Sequence, residues 1–141
     1  MTLTTRKART IIKAAIAMGA EAGMKPLSVV VVDAGGHPIA FERAEGGSPG
    51  RFEIARGKAY GCIMLGMGGK AIQTRAEAQA YFMQSMNGAF DGKFVPVQGG
   101  VLVRDAKGAV IGAVGVTGDT SENDARAAIA GIEAAKLTAE A

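Results

Sequence analysis

A chain of 141 residues, 48% hydrophobic, with no tryptophan and one cysteine, fits a single domain over 1–141 with a self-sufficient core and excludes a disulfide framework. The 16 basic and 13 acidic residues leave a formal charge of +3 and are dispersed, without the dense Lys/Arg stripe that tracks a phosphate backbone, which argues against a nucleic-acid partner. The lone Cys62 and the lack of an uninterrupted apolar stretch near the N-terminus point to the cytoplasm, with no signal peptide and no membrane partner.

Only 5% of residues are aromatic while 21 are glycine, so the core is expected to be Val, Ile, Ala and Met packed against closely approaching backbone. In chain order, Ala8, Ile11, Ile12, Ala15, Ile16, Gly19 and Ala22 recur at helical spacing, and Gly23 followed by Pro26 is a stop, which predicts a helix over Thr4 to Ala22. Its Arg6, Lys7, Arg9 and Lys13 read as a solvated face. Leu27 to Val32 is a β-branched strand covered on both faces, turned by Gly35-Gly36, whose positive φ angles form a hairpin. The returning strand alternates, with Ile39, Phe41 and Arg43 on one face and Ala40, Glu42 and Ala44 on the other.

Residues 45–50 read as a loop, and Arg51 to Leu65 as a helix with Ala55, Ala59, Cys62 and Ile63 on one face; Gly57 and Gly61 admit another backbone. Thr74, with Glu77 three residues on, predicts the capped start of a further helix carrying Ala76, Ala80, Met83 and Asn87 down one side. Val101 to Arg104, a turn at Asp105 to Gly108, and Ala109 to Thr117 form a second hairpin, and Ser121 to Asp124 is a capping box ahead of a terminal helix. Two strands, helices, two or more strands and a helix imply an α+β antiparallel sheet flanked by helices, since parallel crossovers need a helix between successive strands.

The candidate chemistry gathers at a few points. Asp33 and His37 flank the first turn and, with Lys58, are candidates for proton transfer, although an Asp beside glycine also stabilises turns through its own carboxylate and His37 reads equally as an exposed turn residue. Arg43, Arg51 and Lys58 could hold a carboxylate together with Gly99, Gly100, Gly115, Thr117 and Gly118. Gly112, Gly115 and Gly118, with the Thr117 and Thr120 hydroxyls, precede a helix N-terminus able to hold an anion; the competing reading is glycine admitting a helix close to the strand. Arg51, Arg56 and Lys58 open a helix at the end where cations are unfavourable, so a compensating anion is expected. One His and one Cys without a nearby carboxylate pair give no metal signature, Cys62 reads as buried core, and nothing local activates Tyr60 or Tyr81.

The segments Val32-Asp-Ala-Gly-Gly-His-Pro-Ile-Ala-Phe-Glu-Arg43, Lys58-Ala59, Gly99-Gly100-Val101, Val110-Ile-Gly-Ala-Val-Gly-Val-Thr-Gly118 and Asp124 resemble, in order and across nearly the whole chain, the GlcG/HbpS family, also called the haem-degrading-domain family and similar to the C-terminal domain of PduO-type proteins. The resemblance implies a profilin-like fold, a five-stranded antiparallel sheet with helices on both sides, assembled as a homo-oligomer. Some members bind haem and others accompany the catabolism of small organic acids. The axial ligand that the resemblance implies is a His on the first helix; Arg6 to Ala22 contains none, which leaves His37, Met18, Tyr60 or Cys62 as substitutes. Three functions stay open: binding of haem or another tetrapyrrole, a cofactor-independent isomerase, tautomerase or hydratase acting on an organic acid, and a non-catalytic oligomeric accessory protein.

Overall fold

The computed structural model describes residues 2–141 and contains α1 (Thr5–Glu21), β1 (Ser28–Asp33), β2 (Pro38–Arg43), α2 (Arg51–Leu65), α3 (Gly69–Ala78), α4 (Ala80–Ala89), β3 (Gly100–Arg104), β4 (Val110–Thr117), α5 (Ser121–Ala134) and β5 (Thr138–Glu140). The strands form one sheet in the order β2-β1-β4-β3-β5, with every neighbouring pair antiparallel. Helices α1 and α5 cover one face and α2 covers the other, so the α+β, five-stranded architecture is as expected.

The two-residue period of the strands divides the core in two. Val29, Val31, Val101, Val103, Val114 and Val116 face α1 and α5, whereas Val30, Val32, Leu102 and Ala113 face α2. Strands β1 and β4 are central and covered on both faces, which is why their sequences are continuously apolar rather than alternating. Glycine permits the closest layers: a Cβ on Gly115 would collide with the Ala55 carbonyl oxygen, and one on Gly131 of α5 would stand 2.5 Å from the Ile11 carbonyl oxygen of α1.

Four local expectations are corrected. Thr74 does not cap a helix but sits inside α3, its hydroxyl donating to the Lys70 carbonyl at 3.0 Å. The helix starts earlier because Gly69 passes beneath the Gly100 backbone, where a Cβ would lie 2.7 Å from the Gly100 oxygen; it then breaks at Gln79 (φ −139°, ψ 59°) before α4. Thr120, not Ser121, caps α5, its Oγ1 accepting from the Asn123 amide at 3.2 Å. In the first turn only Gly36 has positive φ (84°). A register shift at Val31/Val32 also breaks the simple alternation of β2, so that Ile39 packs on the α1 side and Phe41 on the α2 side.

Strand β5 was not foreseen among the named elements. It is three residues long, lies beyond a helix, and is held to β3 partly by the Arg104–Glu140 ion pair at 2.7 Å. Among the described residues no helix is long and apolar enough to cross a membrane.

Candidate functional site

The β1–β2 turn is built by Asp33. Its Oδ1 accepts from the amides of Gly35 and His37, both at 2.9 Å, and the Gly36 amide donates to the Asp33 carbonyl at 3.0 Å. The carboxylate is therefore occupied in shaping the turn, and His37 is exposed with its ring beside Gly35. Gly36 is buried against α2, where an added Cβ would stand 3.0 Å from the Tyr60 ring.

Next to this turn lies a cleft of about 460 Å³, walled by Leu3, Ile39, Val110 and Ile111 with Asp33 and Gly35 at its edge. Two separate, smaller depressions lie along α1 on the side of the edge strand β2. One is lined by Arg9, Ile12, Lys13 and residues 40–42, and the next by Ile16, Ala20, Met24 and Leu27. The groove arises because β2 is the outermost strand and α1 crosses the sheet without a second helix beside it at that edge. Arg9 and Lys13, expected as a merely solvated face, thus line a concave surface.

At the opposite end of β1 and β4 the sequence-nominated cations come together. Lys58 and Asp124 form a buried ion pair at 3.0 Å, their side chains 3% and 2% exposed. Lys58 Nζ also donates to the Val116 carbonyl at 3.0 Å, and Asp124 Oδ1 accepts from the Asp119 amide at 2.9 Å. Burial pushes the lysine below its ordinary range and the aspartate above its own, against the attraction between them. Arg51 Nη1 donates to Thr117 Oγ1 at 2.8 Å. Arg43 is paired in register with Ser28, and Ser28 with Thr117, so the three stand in one row across β2, β1 and β4.

The nominated glycines behave differently from the cations. Gly99 and Gly100 pack on Lys58, and Gly115 on Ala55, so these three serve close packing; Gly118 (φ 148°) leads into the loop before α5 against the Pro26 carbonyl. Asp33 and His37 do not meet Lys58. Asp33 is in register with Gly112, whereas Lys58 bonds at Val116, four residues or roughly 13 Å further along β4. A proton-transfer site made of all three is thereby lost. Cys62 is buried, and desolvation raises its thiol to about 12, so it is core and not a nucleophile. Tyr60 packs edge-on against Phe90. Met18 packs against the core on the α1 side. Among the described residues no group of three or more His, Cys, Asp or Glu side chains could hold a metal ion.

Ser28 and Asp119 were missed by sequence reasoning. Serine at the start of an apolar strand carries no signal of burial, and Asp119 gains its role only when Asn123 and the Lys25 amide reach it at 2.7 and 3.0 Å.

None of the curated protein sequences matches this chain. Among solved structures it is similar to a PduOC:heme complex, with 21% identity, a TM-score of 0.87 and 100% of both chains covered. It is also similar to a double mutant of Streptomyces reticuli HbpS, at 27% identity and TM-score 0.81, covering 94% of this chain and 86% of that one. Klebsiella pneumoniae protein ORFY aligns at 24% identity and TM-score 0.85, over 96% and 92% of the two chains. A family profile described as "Haem degrading protein HbpS-like" matches residues 3–133, and with the β1–β2 turn, the Lys58–Asp124 pair and the five-stranded sheet in place, the chain belongs to the HbpS-like family.

Proposed function

We propose that this protein binds haem or a related tetrapyrrole in the groove between α1 and β2. The observation that carries the reading is the cleft of about 460 Å³ walled by Leu3, Ile39, Val110 and Ile111, with Gly35 at its edge and the ring of the chain's one histidine, His37, close to Gly35. Its volume lies within the roughly 300–1,000 Å³ of small-molecule sites, and apolar walls with few polar groups suit a flat aromatic macrocycle. Membership of the HbpS-like family and the likeness to a PduOC:heme complex support the same ligand class.

The residues present fit such a group in three respects. Leu3, Ile39, Val110 and Ile111 would remove its apolar faces from water, Arg9 and Lys13 further along the groove would hold its carboxylates, and the exposed His37 imidazole is free to ligate iron. Bound haem would supply iron-centred redox chemistry. His37 takes the ligand role over the other candidates because Cys62 holds its proton in the core, while Met18 and Tyr60 are occupied by packing. The turn helps: with the Asp33 carboxylate accepting the His37 amide, the imidazole is presented from a fixed backbone.

The test is a titration of the purified protein with ferric haem, followed by absorption spectroscopy. A saturable Soret shift is expected, changed in position in His37→Ala and weakened in Arg9→Glu/Lys13→Glu. No saturable shift would overturn the reading, and a spectrum unaltered in His37→Ala would remove His37 as the ligand.

A further inference from the structure

We propose that the end of the sheet where Arg43, Ser28 and Thr117 stand in one row binds a small carboxylate, beneath the 45–50 loop and beside the first turn of α2. This site lies on the α2 face of the sheet, distinct from the groove between α1 and β2.

The first observation is an excess of positive charge. Arg51 and Arg56 occupy the first two turns of α2, where the aligned peptide dipoles already present positive charge, and Gly50 caps the helix without any side-chain hydrogen bond. Among the described residues no carboxylate forms an ion pair with Arg43, Arg51 or Arg56; Glu53, the acid of that first turn, is exposed. Arg51 also lies near enough to Lys58 to help lower it, and the Asp124 carboxylate is used up by Lys58 and the Asp119 amide.

The second observation is independent of charge. Ser28 is 0% exposed, yet among the described residues its hydroxyl has no hydrogen-bond partner. A buried hydroxyl left without a partner is destabilising, so it is not expected to persist without a use. Strand alternation puts Ser28 on the α2 face with Val30 and Val32, and Thr117 shares that face with Gly115, which packs on Ala55 of α2. The Ser28 hydroxyl therefore points to the side on which Arg51 reaches Thr117.

Third, Gly47 closes the row from above. A Cβ there would lie 2.9 Å from Arg43 Cγ and 3.4 Å from Ser28 Oγ, so the loop touches both residues only because this position lacks a side chain. A carboxylate placed among them takes the forked donors of one or both guanidiniums, the free proton of Ser28 and the dipole of α2. The guanidinium fork suits carboxylate and phosphate alike, but the close approach of Gly47 to Arg43 and Ser28 favours the flatter, smaller carboxylate, and inorganic phosphate is the alternative that the experiment separates.

Calorimetric titration with malonate, and in a separate arm with inorganic phosphate, tests this on the intact protein and on Ser28→Ala, Arg43→Gln and Arg51→Gln. Saturable malonate binding is expected, weakened about tenfold or more in each variant. Ser28→Ala without malonate should unfold at the same or a higher temperature, because it removes an unsatisfied hydroxyl. Absence of binding by either anion, or equal binding in the variants, overturns the site. Tighter phosphate binding with the same variant pattern overturns the carboxylate assignment, and a less stable Ser28→Ala without ligand shows that the hydroxyl was already satisfied. Should Arg51→Gln fail to fold, Arg43→Gln and Ser28→Ala still decide the matter.

Discussion

Lys58 and Asp124 are opposite charges placed where neither reaches water, and each depends on the other. Burial opposes both charges, lowering the lysine and raising the aspartate, while their contact at 3.0 Å offsets that penalty. Removing one partner strands the other. We expect Lys58→Met or Asp124→Ala to cost about 3–5 kcal/mol in urea unfolding, whereas Lys58→Met/Asp124→Asn recovers most of the loss. The double variant leaves no charge at this buried position, and the Asn carbonyl can still accept from the Asp119 amide that Asp124 holds at 2.9 Å. Single substitutions costing less than about 1 kcal/mol would show that the pair is not structural.

At the scale of the element, the entry to α5 is tied to the loop before β1. Asp119 accepts from the Asn123 side chain at 2.7 Å and from the Lys25 amide at 3.0 Å, joining the helix start to residues far away in sequence. Those hydrogen bonds, the Asn123 amide first, hold its carboxyl down at about 2 against an ordinary 3.8. A depressed folded pKa means the unfolded chain binds the proton more readily, so this contribution is complete above the ordinary value and is lost as pH falls toward 2. Unfolding midpoints measured from pH 5 down to pH 2 should therefore fall less steeply in Asp119→Asn than in the native protein. Identical slopes would mean that Asp119 is as free in the folded state as in the unfolded one.

The same helix shows how much of an element its sequence discloses. Its existence was legible from the apolar positions Ala125, Ala128, Ile129 and Ile132, but its cap fell one residue earlier than expected. Asp124 reaches back past the Thr120 cap, its Oδ1 accepting from the Asp119 amide while Lys58, 66 residues away, holds its Oδ2. Thr74 fails for a related reason: a capping pattern competes with the placement of Gly69 under Gly100, and the tertiary contact wins.

Across the whole molecule the sheet separates two surfaces. The groove with Leu3, Arg9, Lys13 and Ile39 belongs to the α1 side and the outer edge, while Ser28, Thr117 and Arg51 face α2. The two proposed sites share no residue and are divided by the packed valines of β1 and β4, so their energies should add. Cross-titration should show Ser28→Ala binding haem as the native protein does, and His37→Ala binding malonate unchanged. Reciprocal weakening would mean that one site responds to the other through the sheet or through Gly36, which is buried against Tyr60 of α2.

The sequence by itself determined the layers, the two hairpins, the helices at either end and the buried character of β1 and Cys62, because local periodicity and turn chemistry suffice for these. Its motifs carried the family resemblance and nominated Arg51, Lys58 and Thr117, which the fold does bring together. Only the tertiary structure decided that Asp33 is spent on its turn and lies far from Lys58, that Gly99, Gly100 and Gly115 serve packing, and that Ser28 is buried with a free hydroxyl. Strand β5 likewise waited for β3 to offer an edge. These outcomes depend on which strands become neighbours and in what register, and pairing across 60 or more residues, as between Ser28 and Thr117, leaves no periodicity in the chain.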